Sequence, residues 1–169
     1  MSEESAKYGV VAMCESPQST LKIKIKKLHP DAVIPTKAHP SDAAYDLTAV
    51  SRTFDEHGNV VYGFGFALEI PEGYAGFIYP RSSICKYDLA LTNCVGIVDC
   101  SYRGEITTKF KPAFRFDKSD GIAEGCHLYN PGDRIAQLII RKVESADFVE
   151  VDALSDTDRG TGGFDSTGS

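Results

Sequence analysis

Apolar and polar positions alternate most plainly in residues 21–28, LKIKIKKL, where Leu21, Ile23 and Ile25 fall on one side and Lys22, Lys24 and Lys26 on the other. A period of two is that of a half-buried strand, so the lysines form a solvated face. Further strand-like runs occupy residues 59–62, 66–70, 76–79, 96–98, 104–110, 127–129 and 134–140, with 148–151 behind them. Pro and Gly punctuate almost every gap, as in HPSD, PEGY and NPGD. No segment sustains a helical period, and the one candidate is a short helix over 82–87, directly after Pro80 and Arg81. Many short strands between turn signals predict an all-β sandwich or barrel. The barrel domain is expected over 21–158. Residues 1–20 read as a loose N-terminal extension, 115–125 (RFDKSDGIAEG) as a long polar loop, and 159–169 (RGTGGFDSTGS) as a glycine-rich tail with almost nothing to pack.

Length and composition narrow this picture. A chain of 169 residues suits one domain. No apolar run approaches the 18 or so residues of a membrane span, and the first 20 residues lack the basic-then-apolar pattern of a signal peptide. The five cysteines (Cys14, Cys85, Cys94, Cys100, Cys126) are odd in number and form no Cys-x-x-Cys pair, which argues against a disulfide framework and a cysteine zinc site. A soluble, intracellular protein of cytoplasm or nucleus is expected. The formal charge of -6 disfavours nucleic-acid binding, which needs a broad basic surface. His29, His39, His57 and His127 show no ligand spacing and read as surface residues.

Five stretches carry candidate chemistry. In SDAAYDL (41–47), Asp46 lies between apolar neighbours and reads as a buried hydrogen-bonding organiser. PRSS (80–83) offers the guanidinium of Arg81 and the hydroxyls of Ser82 and Ser83, the donors a phosphate chain requires; serine capping of a short helix is the plainer reading. In GIVDCSYRGE (96–105), Asp99 follows an apolar strand, where partial desolvation would make it a better base; an aspartate opening a hairpin turn is the alternative. GDRIAQL (132–138) suggests a structural Asp133–Arg134 pair, with Gln137 presenting an amide to a pocket. In RGTGGFDSTGS, the glycines allow close approach to an anion, Arg159 brings charge, Ser166 and Thr167 bring hydroxyls, and Phe164 can stack on a planar base.

Taken in order, AAYDLTA, PRSS, NCVGIVDCSYRGE, GDRIAQLI and DRGTGGFDSTG resemble the five collinear motifs of the trimeric all-β dUTPase family. The resemblance covers about residues 21–169. It implies a jelly-roll-like β-barrel and a homotrimer with active sites at subunit interfaces, which hydrolyses dUTP to dUMP and pyrophosphate, limiting uracil in DNA and supplying dUMP for dTMP synthesis. By that resemblance Asp99 is the base that activates the water attacking the α-phosphorus. Asn93 and neighbouring backbone at Gly96 and Val98 read the uracil edge, and Tyr102 packs on the deoxyribose so that a 2′-hydroxyl has no room. Arg81, Ser82, Ser83 and Gln137 hold the phosphates, Asp46, Asp133 and Arg134 support them, and Mg2+ arrives with the triphosphate rather than on protein ligands. Arg159, Phe164, Asp165, Ser166 and Thr167 belong to the closing tail.

The chain departs from the family pattern at Ala44, Ser83 and Asp165, each where a glycine is usual or frequent, and at Ser101, where a second aspartate is frequent. Asp165 places a carboxylate beside a phosphate grip; at about 8 Å through water the cost is only roughly 0.5 kcal/mol. Two alternatives stay open at this point. One is a dCTP deaminase-type enzyme of the same fold, which needs a catalytic glutamate; the other is a dUTPase-like regulatory or binding protein without turnover.

Overall fold

The structure, a computed structural model, describes residues 20–113 and 127–163. Among them ten strands form: β1 (Lys24–Lys27), β2 (Tyr45–Thr48), β3 (Ser51–Phe54), β4 (Val60–Gly63), β5 (Phe66–Glu69), β6 (Tyr74–Pro80), β7 (Leu89–Leu91), β8 (Gly96–Val98), β9 (Thr107–Pro112) and β10 (Arg134–Lys142). They make two four-stranded sheets, ordered β2-β10-β6-β8 and β3-β4-β9-β7, and a two-stranded sheet β1-β5. Every pairing is antiparallel. The expected all-β, jelly-roll-like architecture is thus the one observed.

The core lies where the sheets turn their apolar faces toward each other. Leu47, Ile78, Ile135 and Leu138 come from one sheet, Val60, Tyr62 and Phe110 from the other, and Phe64 and Phe66 from the connection to β5. Alternation is clearest in β9, where Thr108, Phe110 and Pro112 are buried while Thr107, Lys109 and Lys111 face solvent. Tyr62 meets Phe110 edge-on at 5.7 Å and Tyr129 at 6.4 Å, geometries that suit the aromatic quadrupole. Burial pushes the Tyr62 hydroxyl up to about 12, and that hydroxyl donates to the Tyr129 carbonyl at 3.0 Å.

Several expected elements differ. The strand expected over 127–129 is irregular: Leu128 and Tyr129 are buried as side chains, but their backbone joins no sheet. Residues 148–151 form no strand, and Phe148 stands 99% exposed, because the chain offers its apolar side chains no surface of its own. The strand expected from residue 104 begins only at Thr107, since residues 99–105 close a tight loop. The helix over 82–87 is a single 3-10 turn, Ser82–Lys86, preceded by Arg81 with no side-chain cap, so the serines are not caps. β2, β3 and β7, of three or four residues each, were not anticipated.

All four histidines are exposed, as expected. Cys85, Cys94 and Cys100 are free thiols; Cys14 and Cys126 lie outside the described residues, as do the N-terminal extension before Thr20 and the 115–125 loop. Among the described residues no helix is long and apolar enough to cross a membrane.

One buried polar atom stands out. Thr108 is 4% exposed, and its hydroxyl is the single buried side-chain N or O atom among the described residues without a hydrogen-bond partner. Thr108→Val keeps the β-branched shape and removes that cost, so it should stabilise the fold by roughly 1 to 2 kcal/mol. Urea unfolding checks this, and a lower midpoint would contradict it.

Candidate active site

The cationic half of the site grows from the middle of the first sheet. β10 pairs with β2 on one side and with β6 on the other, which sets Asp46, Gln137 and Tyr79 side by side. The β2–β10 register shifts between Arg134 and Ala136, a bulge that re-aims Arg134 toward β2. Two guanidinium groups therefore meet one carboxylate: Arg81 Nε donates to Asp46 Oδ1 at 2.7 Å and Arg134 Nη1 to Oδ2 at 2.8 Å. Arg81 Nη1 also donates to the Arg134 carbonyl at 3.3 Å. The Asp46 side chain is only 16% exposed, so it is the organiser that its apolar flanks suggested.

The Asp133–Arg134 pair does not form. Asp133 instead accepts the Asn130 N–H at 2.7 Å and closes the NPGD turn, which leaves Arg134 to the longer-range partner Asp46. Gln137 donates from its amide nitrogen to the Pro80 carbonyl at 2.9 Å, holding the PRSS turn from beneath. Ser83 shares a hydrogen bond of 2.8 Å with the Tyr129 hydroxyl, and the Tyr129 ring stacks on Tyr87 at 3.7 Å. Burial raises the Tyr129 hydroxyl, partly offset by that bond to Ser83. Ser82 is exposed at the turn.

The second half is a hollow of about 210 Å³ between β8 and the loop that follows it. Asn93, Gly96, Val98, Asp99 and Tyr102 all line it, together with Ile78, Ile97, Glu105, Ile106 and Thr107. Gly96 faces Ile78 so closely that a Cβ there would lie 3.2 Å from the Ile78 Cβ. Asp99 ends β8 and its carbonyl accepts the Tyr102 N–H at 3.1 Å, so the turn reading and the site reading hold together. Its carboxylate is exposed, however, where shielding by apolar neighbours was expected: Val98 and Ile97 line the wall beside it without covering it.

The two halves do not meet within one chain. Val98 pairs with Gly76 and Gly96 with Ile78, so Asp99 leaves β8 at one end of β6 while Pro80 and Arg81 leave β6 at the other. Four residues of strand, roughly 13 Å, separate Gly76 from Pro80. Arg159 also stands apart, its Nε donating to the Gly162 carbonyl at 2.9 Å in an exposed turn. Phe164, Asp165, Ser166 and Thr167 lie outside the described residues.

Two residues were missed as site components. Glu105 was read only as the end of its motif, yet its side chain lines the hollow and bonds across the barrel. Tyr129 was read as part of a strand, and nothing local signals that its hydroxyl reaches Ser83, 46 residues away.

A jelly-roll-like β protein with a ring-sized hollow beside an acidic turn, and a separate guanidinium cluster, defines the class to which the chain is compared. A family model described as dUTPase matches residues 30–168, and the chain belongs to the dUTPase family. Deoxyuridine 5'-triphosphate nucleotidohydrolases from Thermobifida fusca and Rhodococcus erythropolis are 43% and 40% identical over 151 and 153 residues, with 88% of this chain covered in each case and 80% and 87% of the relatives. The solved dUTPase of Staphylococcus bacteriophage 80alpha with dUPNHPP superposes with a TM-score of 0.72 at 28% identity, covering 89% of this chain and 100% of that one. These likenesses favour the dUTPase reading over a deaminase of the same fold.

Asp46→Ala should leave two guanidinium groups without their shared partner and cost about 2 kcal/mol in stability. Asp46→Asn, which keeps two polar atoms in place, should cost less. Denaturant titration of both variants checks the order, and an Asp46→Ala protein as stable as the parent would show the pair of ion contacts to be unimportant.

Proposed function

We propose that this chain is a dUTP diphosphatase. The observation that carries the reading is the gathering of Asn93, Gly96, Val98, Asp99 and Tyr102 around one hollow, each with a chemistry that a deoxyuridine nucleotide needs. Asn93 and the backbone at Gly96 and Val98 pair with the uracil edge, and Tyr102 lies against the deoxyribose. Asp99 accepts a proton from water as the water oxygen bonds to the α-phosphorus. The bond from that phosphorus to the α,β-bridging oxygen breaks, and pyrophosphate leaves with the electron pair, giving dUMP. An exposed carboxylate is compatible with this role, because bound nucleotide itself would exclude water from it.

Arg81, Ser82, Ser83 and Gln137 hold the phosphates. Two guanidinium groups on one carboxylate leave the Asp46 cluster with a net positive charge in a chain of formal charge -6. At an effective dielectric near 20, a cation about 4 Å from a phosphate charge gains roughly 4 kcal/mol before desolvation. The substrate is the magnesium chelate of dUTP, since Mg2+ is commonly bound through substrate phosphates.

The sites are shared in a homotrimer. Support comes from the separation of Asp99 and Arg81 along β6, which leaves each chain with both halves of a site but not one whole site. It comes also from the segment after β10, where Val143, Phe148, Val149, Val151 and Leu154 are all exposed. Such a run of apolar side chains needs another copy to cover it. Arg159, Phe164, Ser166 and Thr167 follow that segment and close over the nucleotide, with Arg159, Ser166 and Thr167 on the γ-phosphate and Phe164 on the base. A soluble intracellular setting suits an enzyme whose substrate is a cellular nucleotide.

Pyrophosphate release with magnesium, compared for dUTP, dCTP, dTTP and UTP, tests the reading: release from dUTP alone is expected, and release from dCTP at a similar rate would refute it. Asp99→Asn should lower kcat by about a thousandfold while dUTP still binds. Phe148→Asp should shift the protein from three copies to one in light-scattering measurements and lose activity with the trimer. A fully active monomer would remove the case for shared sites.

A further inference from the structure

Glu105 lies at the junction of the hollow and the rest of the barrel. Its Oε1 accepts the backbone N–H of Gly65 at 2.8 Å, a contact across 40 residues, from the loop after β8 to the β4–β5 connection. The backbone on either side continues the tie, with Phe64 N–H donating to the Ile106 carbonyl at 3.1 Å and Ile106 N–H to the Phe66 carbonyl at 2.9 Å. One glycine presents its N–H to the carboxylate and another makes room for it. Gly65 has φ +68, a left-handed conformation that aims its N–H at Glu105, and a Cβ on Gly63 would stand 2.6 Å from Glu105 Oε1.

The same residue fixes Tyr102. The Tyr102 hydroxyl donates to the Glu105 carbonyl at 3.1 Å, and Gly104 leaves the space into which the ring folds. Arg103 Nη1 is bonded to the carbonyls of Cys100 and Tyr102 within the loop. Glu105 thus joins the two partners, its carbonyl holding the Tyr102 hydroxyl and its side chain, beside the Ile106 backbone bonds, holding Gly65.

We infer that Glu105 is a positioning residue that sets how strictly the hollow rejects a ribonucleotide, by clamping Tyr102 to the barrel through Gly65. The inference rests on the proposed contact of Tyr102 with the deoxyribose and goes beyond it. A carboxylate bound to a backbone N–H holds its geometry better than a neutral acceptor. A ring free to shift by an ångström makes room for a hydroxyl. The effect is therefore expected mainly on UTP, admitted more readily, and less on dUTP.

The test compares kcat/KM for dUTP and UTP in Glu105→Ala, Glu105→Gln, Gly63→Ala/Ser51→Ala, Tyr102→Ala and the Glu105→Ala/Tyr102→Ala double variant, with thermal melting to confirm folding. Glu105→Ala should lower the dUTP-to-UTP ratio about tenfold, chiefly by raising kcat/KM for UTP. Glu105→Gln, which keeps the acceptor oxygen, should retain most of the ratio. Gly63→Ala, whose Cβ would meet both Glu105 Oε1 and Ser51 Oγ at 2.6 Å, should follow Glu105→Ala when combined with Ser51→Ala to relieve the second contact, and carries the test if Glu105→Ala does not fold. The Glu105→Ala/Tyr102→Ala variant should discriminate no worse than Tyr102→Ala alone. A folded Glu105→Ala or Gly63→Ala/Ser51→Ala protein with the parent ratio, while Tyr102→Ala loses it, overturns the inference and leaves the Tyr102 contact standing. A parent ratio in Tyr102→Ala overturns that contact and the inference with it.

Discussion

A single carboxylate organises the cationic half of this molecule. Asp46 takes one guanidinium on each oxygen, and its own burial lets water screen the contact to the largely covered Arg81 less than the contact to the half-exposed Arg134. The arrangement is possible only because β10 is central to its sheet, with β2 and β6 as its two neighbours, and because a bulge turns Arg134 back toward β2. The PRSS turn hangs from the same place, its Pro80 carbonyl held by Gln137 and its Ser83 by Tyr129. Remove the carboxylate and the PRSS turn loses its reference point.

The sheet that builds this cluster also keeps it away from the hollow. Antiparallel pairing sends β8 back along β6, so the acidic turn and the guanidinium turn leave at opposite ends. One fold thereby carries two complementary half-sites pointing different ways. That division stands beside a second feature of the single chain, the exposed apolar side chains after β10.

How much of this was legible beforehand follows from the range of the interactions involved. The run at 21–28 was readable because a period of two is local, and those at 66–70 and 134–140 because they are apolar runs between turn signals. Asn93, Gly96, Val98, Asp99 and Tyr102 were readable as neighbours, since they are nearly contiguous and only a hairpin is needed to gather them, while Glu105 in the same stretch was not. What escaped depended on distance. Tyr129 on Ser83, Glu105 on Gly65 and Arg134 on Asp46 join residues 40 or more positions apart, and the adjacent Asp133 was a misleading partner for Arg134.

The sequence by itself determined the all-β class, the order of the motifs and the chemical groups available at each, because these follow from local periodicity, turn chemistry and residue type. Only the tertiary structure decided which charges pair, which face of the Asp99 turn stays open to solvent, and that the guanidinium cluster and the hollow are held apart. The physical reason is strand register: shifting a pairing by one residue exchanges the faces of a strand, and that choice is made by the whole packed core rather than by any segment of it.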